Sequence, residues 1–121
     1  MVRGSVNAND EPVIPIEVQF KRKLHKFKAV IDTGFNGYLS IPAPLIVRSS
    51  WKELGVEEYE LASDERMVAC VFPGCIRFDG ERMDVPVLST KSGDILIGTK
   101  LLKGKELVIN FTKKNVHIRN A

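Results

Sequence analysis

Apolar and polar residues alternate in short stretches along most of this chain. Val13 to Phe20 is rich in β-branched residues and alternates with a period of two, which predicts a strand. Pro12 and Pro15 place it at a strand start or a sheet edge. His25 to Asp32 is the next strand, so Lys21 to Leu24 makes the turn of a hairpin, and Tyr38 to Pro42 gives a further short strand. The period changes at Pro44, which suits a first helical position. Leu45, Val47, Trp51 and Leu54 share one side loosely, and Gly55 suits a stop. One helix is therefore expected over 44–54, with Trp51 at the edge of the core. Strands return after Glu57. Glu57 to Ser63 and Arg66 to Phe72 flank a polar link at Ser63 to Arg66. Cys75 to Phe78 and Arg82 to Ser89 flank Asp79-Gly80-Glu81, a strong tight-turn signal. Pro73-Gly74 is expected to bend or bulge the strand between them. Ile95 to Ile97 is an apolar run too short for a helix, Thr99 to Gly104 reads as a helical turn or two, and Glu106 to Phe111 and Asn115 to Asn120 close as a hairpin. The pattern as a whole predicts a mainly β fold with one or two short helices.

Length and composition narrow this further. The 121 residues suit a single domain over 1–121. At 44% apolar and 27% charged the composition is that of an ordinary globular domain. No apolar run is long enough to span a membrane, and the opening residues lack the apolar core of a signal peptide, so a cytoplasmic protein without a membrane partner is expected. Two cysteines, Cys70 and Cys75, make no disulfide framework and read as small buried hydrophobes rather than a redox pair. With His25 and His117 they supply no four-ligand metal set, so neither metal nor cofactor is expected. The net charge of +3 is concentrated in Lys21 to Lys28. Such a cluster can hold phosphates, but no aromatic platform accompanies it. A solvated hairpin whose lysines discourage sheet association is the plainer reading, and no nucleic-acid partner is expected.

The residue that this picture leaves unexplained is Asp32. It follows the apolar run Ala29-Val30-Ile31 and precedes Thr33-Gly34. Asp and Gly are common turn-formers, so alone the tripeptide is a weak signal. A second segment, Ile95-Leu96-Ile97-Gly98-Thr99-Lys100-Leu101-Leu102, repeats the design of an apolar strand that halts at glycine and turns.

Val30 to Gly34 followed at a distance by Ile95 to Leu102 resembles the retropepsin-like aspartic peptidases of clan AA, in particular their small single-domain prokaryotic type. The resemblance covers nearly the whole chain. It implies a closed β-barrel or sandwich of the acid-protease kind and a cytoplasmic homodimer that hydrolyses peptide bonds in a peptide or protein substrate without a cofactor. Two copies of Asp32 would meet at a twofold axis, share one proton and activate a water between them. Thr33 would hydrogen-bond across the axis, Gly34 would leave room beside the carboxylate, and Ile97 and Gly98 would support the loop. The flap over the substrate is expected near Leu61 to Met67, tipped by Ser63 to Glu65, with Phe35, Asn36, Ala62, Ser63, Asp64 and Glu65 as pocket and flap candidates. The sequence departs from the viral pattern in four places. Phe35 stands where Ala or Ser is usual, Asn36-Gly37 replaces acidic residues, and Thr99 replaces an arginine that pairs with one of those acids. The flap tip is also charged rather than glycine-rich. Phe35 and the polar flap favour an alternative: a catalytically inactive retropepsin-like dimer serving as a binding module. An aspartyl-phosphate enzyme would need a phosphate loop, and the sequence holds no such motif.

Overall fold

The computed structural model describes residues 1–60 and 65–121. Among them are ten strands: β1 (Val2–Val6), β2 (Pro12–Phe20), β3 (Lys23–Ile31), β4 (Leu39–Pro42), β5 (Gly55–Glu60), β6 (Arg66–Phe78), β7 (Glu81–Thr90), β8 (Ile95–Ile97), β9 (Lys105–Asn110) and β10 (Asn115–Asn120). The single helix among these residues, α1, spans Ala43–Ser49. Strands follow one another in the order β5-β6-β7-β4-β8-β3-β2-β1-β10-β9, and β6 also pairs with β2. That extra pairing closes β2, β3, β8, β4, β7 and β6 into a six-stranded barrel. β5 hangs from one side of it, and β1, β10 and β9 form an extension on the other.

The alternation read in β2 has a direct cause. Ile14, Ile16, Val18 and Phe20 are buried inside the barrel, at 0 to 4% exposure, while Pro15 faces outward. Pro15 also falls where one edge of β2 changes partner, from β1 at Pro12 and Val13 to β6 at Glu17 and Val18. The closing seam carries an ion pair, Arg77 Nη2 to Glu17 Oε1 at 2.6 Å. The β2–β3 and β6–β7 hairpins both turn through two residues with positive φ: Lys21 and Arg22 in the first, Asp79 and Gly80 in the second. These are the mirror-image turns whose twist matches that of the strands. Strands β3 and β8, and β4 and β7, run parallel.

Four expectations need correction. The helix ends at Ser49 rather than Leu54. Ser50 is left-handed at φ 67, and the Ser49 hydroxyl donates to Ile46 O and accepts the Trp51 N–H. The serine pair stops the helix before Gly55, which instead opens β5. Trp51 still packs on the core, edge-on to Phe20 with centroids 5.3 Å apart. Pro73-Gly74 does not bulge its strand, because the β6–β7 register continues unbroken from Val71↔Leu88 to Phe78↔Glu81. Gly74 serves close packing there: a Cβ would run into Val87 and touch Trp51. Thr99 to Gly104 forms successive tight turns rather than a helix, through Leu101 N–H to Gly98 O and Leu102 N–H to Thr99 O. Cys70 and Cys75 are half-buried and unlinked rather than buried. Burial first, then the charge of Asp84, pushes the Cys75 thiol pKa up. A hydrogen bond with Glu53 is the main cause that raises that of Cys70, and both shifts favour the unreactive thiol.

The exposed lysines of the 21–28 cluster line the β2–β3 hairpin, and Lys26 stands opposite Glu17. Among the described residues no helix is long and apolar enough to cross a membrane.

Candidate active site

Asp32 emerges where β3 leaves the core. Ala29, Val30 and Ile31 are buried, and the next carboxylate is half-buried at the strand's end. Its placement depends on β8. Ile31 is in parallel register with Ile97 of β8, and Leu39 of β4 is in antiparallel register with the same Ile97. The loop from Asp32 to Tyr38 joins two strands that flank β8, so it has to cross over the end of β8.

Hydrogen bonds lock that crossing. The Asp32 N–H donates to Ile97 O at 2.9 Å, the Gly98 N–H to Tyr38 O at 3.1 Å, the Thr99 N–H to Phe35 O at 2.9 Å and the Lys100 N–H to Gly37 O at 3.1 Å. Within the loop the Phe35 N–H donates to Asp32 O, and the Gly34 N–H donates to Asp32 Oδ1 at 2.9 Å. One carboxylate oxygen is thus fixed by a backbone donor, which leaves the other for chemistry. Gly98 lies directly under the loop, and a Cβ there would collide with the Gly37 and Phe35 carbonyls. The Thr99 hydroxyl is 3.4 Å from both Phe35 O and Asn36 Oδ1. A neutral contact therefore joins the two positions where the viral pattern has an ion pair.

A cleft of about 460 Å³ opens beside Asp32. Thr33, Val30, Ile31, Leu96 and Ile109 line it, together with Asp10 and Glu11 from the loop between β1 and β2. Thr33 and Gly34 are exposed. Phe35 and Asn36 stand apart from this lining, and the Phe35 ring lies over the Gly37 Cα, so a Cβ on Gly37 would meet it. Of the flap candidates, Ala62, Ser63 and Asp64, with Leu61, lie outside the described residues. Glu65 is exposed at the start of the returning strand, and β5 and β6 pair in register up to Glu60↔Arg66, so a hairpin does stand at this point of the chain.

The sequence reading did not reach Asp10, Glu11 and Ile109. Asn7 holds the first two: its main-chain carbonyl accepts the Asp10 N–H, its side-chain oxygen accepts the Asn9 and Glu11 N–H groups, and its side-chain amide donates to Glu11 Oε1. The string Asn7-Ala8-Asn9-Asp10 before Pro12 signals such a turn, but not its place beside Asp32.

No protein-family model matches the sequence, and neither does any curated protein. Solved structures do match. EIAV protease complexed with the inhibitor HBY-793 superposes at a TM-score of 0.62 and 12% identity, over 80% of this chain and 89% of that one. A retropepsin-like aspartic protease from Rickettsia conorii gives 0.62 and 15%, over 94% and 86%. Simian Foamy Virus (mac) protease gives 0.52 and 17%, over 74% and 91%. The six-stranded barrel, the loop carrying Asp32 across β8 and these three likenesses show that the chain has the retropepsin-like fold.

Proposed function

We propose that this protein is an aspartic endopeptidase that works as a homodimer, each chain contributing one Asp32. The observation that carries the reading is the Asp32 loop itself. A half-buried carboxylate stands at the mouth of a cleft, one oxygen held by the Gly34 N–H, on a backbone fastened to Ile97 and Gly98. A single carboxylate at this position is half of a dyad. Two at close range share one proton, because both cannot ionise cheaply. The ionised member takes a proton from the water between them as that water attacks the peptide carbonyl. The protonated member donates to the carbonyl oxygen. Collapse of the tetrahedral intermediate breaks the C–N bond, and the departing amine takes up the proton. Thr33, exposed next to Asp32, would hydrogen-bond across the axis. Glu65, exposed just before β6, would belong to the flap over a peptide or protein substrate.

The alternative is a dimer that binds peptides without cutting them. It draws on the polar flap and on Phe35, which stands where Ala or Ser is usual. The ring packs on Gly37 within its own loop and stands apart from the cleft lining, which supports the catalytic reading. The test is cleavage of an unstructured protein such as casein at mildly acid pH by wild type and by Asp32→Asn. The variant keeps an oxygen for the Gly34 N–H, so its melting temperature should stay close to wild type while activity falls at least about a thousandfold, as when a member of a catalytic unit is lost. Equal cleavage by both proteins overturns the reading, and peptide binding without cleavage in either establishes the alternative.

A further inference from the structure

The three strands that extend from the barrel, β1, β10 and β9, turn one face to the core and the other to solvent. Val2, Val6, Val116 and Ile118 are buried on the inner face. Alternation therefore puts Arg3 of β1, Asn115, His117 and Arg119 of β10, and Glu106 and Asn110 of β9 on the outer face. There Arg3 stands opposite His117, and Asn115 opposite Asn110. Directly opposite residues have Cα atoms about 4.5–5.5 Å apart, so the side chains of each pair are neighbours. Arg3, His117, the two asparagines and Lys113 from the β9–β10 turn line a cleft of about 440 Å³.

The charge of this cleft is unbalanced. Glu106 is the one acid in the three strands, and Arg119 engages it through Nε at 2.9 Å and Nη2 at 2.6 Å. No carboxylate among the described residues pairs with Arg3, Lys113 or His117. The Asn110 amide is also oriented. Its Oδ1 accepts the Lys113 N–H at 2.9 Å, which identifies the oxygen end and leaves the –NH2 as a donor. The lysines of the β2–β3 hairpin differ: Lys26 stands opposite Glu17, and none of them lines a cleft with these donors.

We propose that this cleft binds a phosphate group, brought by free phosphate or by a small phosphate monoester. The donor set fits that chemistry. The Arg3 guanidinium can meet two phosphate oxygens at once. Lys113 adds a point charge, and His117 and Asn110 add directional N–H donors. A carboxylate has only two oxygens to share among these groups. A phosphate monoester has three strong acceptors and a charge of about −1.5 to −2 at pH 7, which matches two unpaired cations. The volume falls in the range of small-ligand sites, about 300–1,000 Å³, and leaves room for the organic part of an ester. This site is separate from the candidate active site. Ile109 lines the Asp32 cleft, while Asn110, the next residue of β9, lines this one on the opposite face. It therefore depends on neither Asp32 nor a second chain.

The test titrates the full chain, labelled with nitrogen-15, with inorganic phosphate and with phenyl phosphate at low salt. Amide and side-chain shifts should concentrate at Arg3, Asn110, Lys113, Asn115 and His117. Arg3→Gln and Lys113→Gln should each weaken binding at least about tenfold, the loss expected for a hydrogen bond to a charged group. Both side chains are exposed, so the melting temperatures should stay close to wild type. If Arg3→Gln fails to fold, Lys113→Gln and the wild-type shift map carry the test. Lys26→Gln, which removes the same charge elsewhere, should leave binding unchanged, and so should Asp32→Asn. Tighter binding of phenyl phosphate than of phosphate assigns the site to an ester, and equal binding assigns it to the free ion. Absence of shifts in the cleft at about 10 mM of either probe, past the millimolar range of weak sites, overturns the proposal. Equal weakening by Lys26→Gln also overturns it, because the attraction is then to net charge alone. So does a DNA duplex that binds through Arg3 and Lys113 where neither small phosphate binds.

Discussion

Gly98 is the residue at which one added methyl group would most directly disturb the candidate site. It needs no unusual backbone angle; what it provides is absence of bulk where the Phe35 and Gly37 carbonyls rest on the end of β8. Gly98→Ala has to push that loop away or distort β8. Overpacking of this kind costs about 1–3 kcal/mol, and the carbonyls are backbone, so relief is limited. We expect a lowered melting temperature and a loss of cleavage larger than the stability loss explains, because Asp32 rides on the displaced loop. Thermal melts alongside activity measured well below the melting point separate the two effects. The sequence marked Gly98 as a strand stop and, by resemblance, as a support of the Asp32 loop. It could not show which atoms lie above the glycine, because they come from a loop far away along the chain. Asp10 and Glu11 escaped for the same reason: a local turn signal says that the chain bends, not what it bends towards.

At the scale of elements, turns were the most legible features and interruptions the least. The Asp79-Gly80 turn and both flanking strands follow from local chemistry. The hairpin at Lys21-Arg22 has the same geometry with the wrong residues, since both adopt positive φ without being glycine or asparagine. Such a conformation is strained for long side chains. Replacing the pair with Asn-Gly should raise stability by about 1 kcal/mol, read as a rise of a few degrees in melting temperature with cleavage unchanged. The helix and the proline-glycine pair misled for opposite reasons. The apolar positions from Leu45 to Leu54 suggest a longer helix, yet Val47 is 84% exposed and the serine pair turns the chain out through its own side-chain hydrogen bonds. Pro73-Gly74 suggests a break, yet tertiary packing wants a small residue against Val87 and Trp51, and the ladder continues through it.

At the scale of the molecule, the β6–β7 turn is tied to the start of β9. Asp79 accepts from Lys105 Nζ at 3.2 Å and from the amino group of Met1 at 2.8 Å. These hydrogen bonds hold its pKa below the ordinary carboxylate value. The unfolded chain therefore takes up this proton at a higher pH than the folded one does, and the pairing stabilises the fold above the usual carboxylate range. That contribution is lost as pH falls through the depressed value. Asp79→Asn should melt below wild type at pH 7, and the gap should narrow as pH falls below the ordinary carboxylate range. A gap that persists there would assign the effect to hydrogen bonding by either form rather than to charge. The tie matters because of the arrangement it helps to hold, in which β10 is enclosed by β1 and β9 of its own chain. A protein whose last strand must be supplied by a twin cannot finish folding alone. Here β10 finds both its neighbours in its own chain, so folding of the protomer and assembly are separate events. On the dimeric reading a folded protomer is idle by itself, and the rate per chain rises with the amount of chain present until the pool is paired.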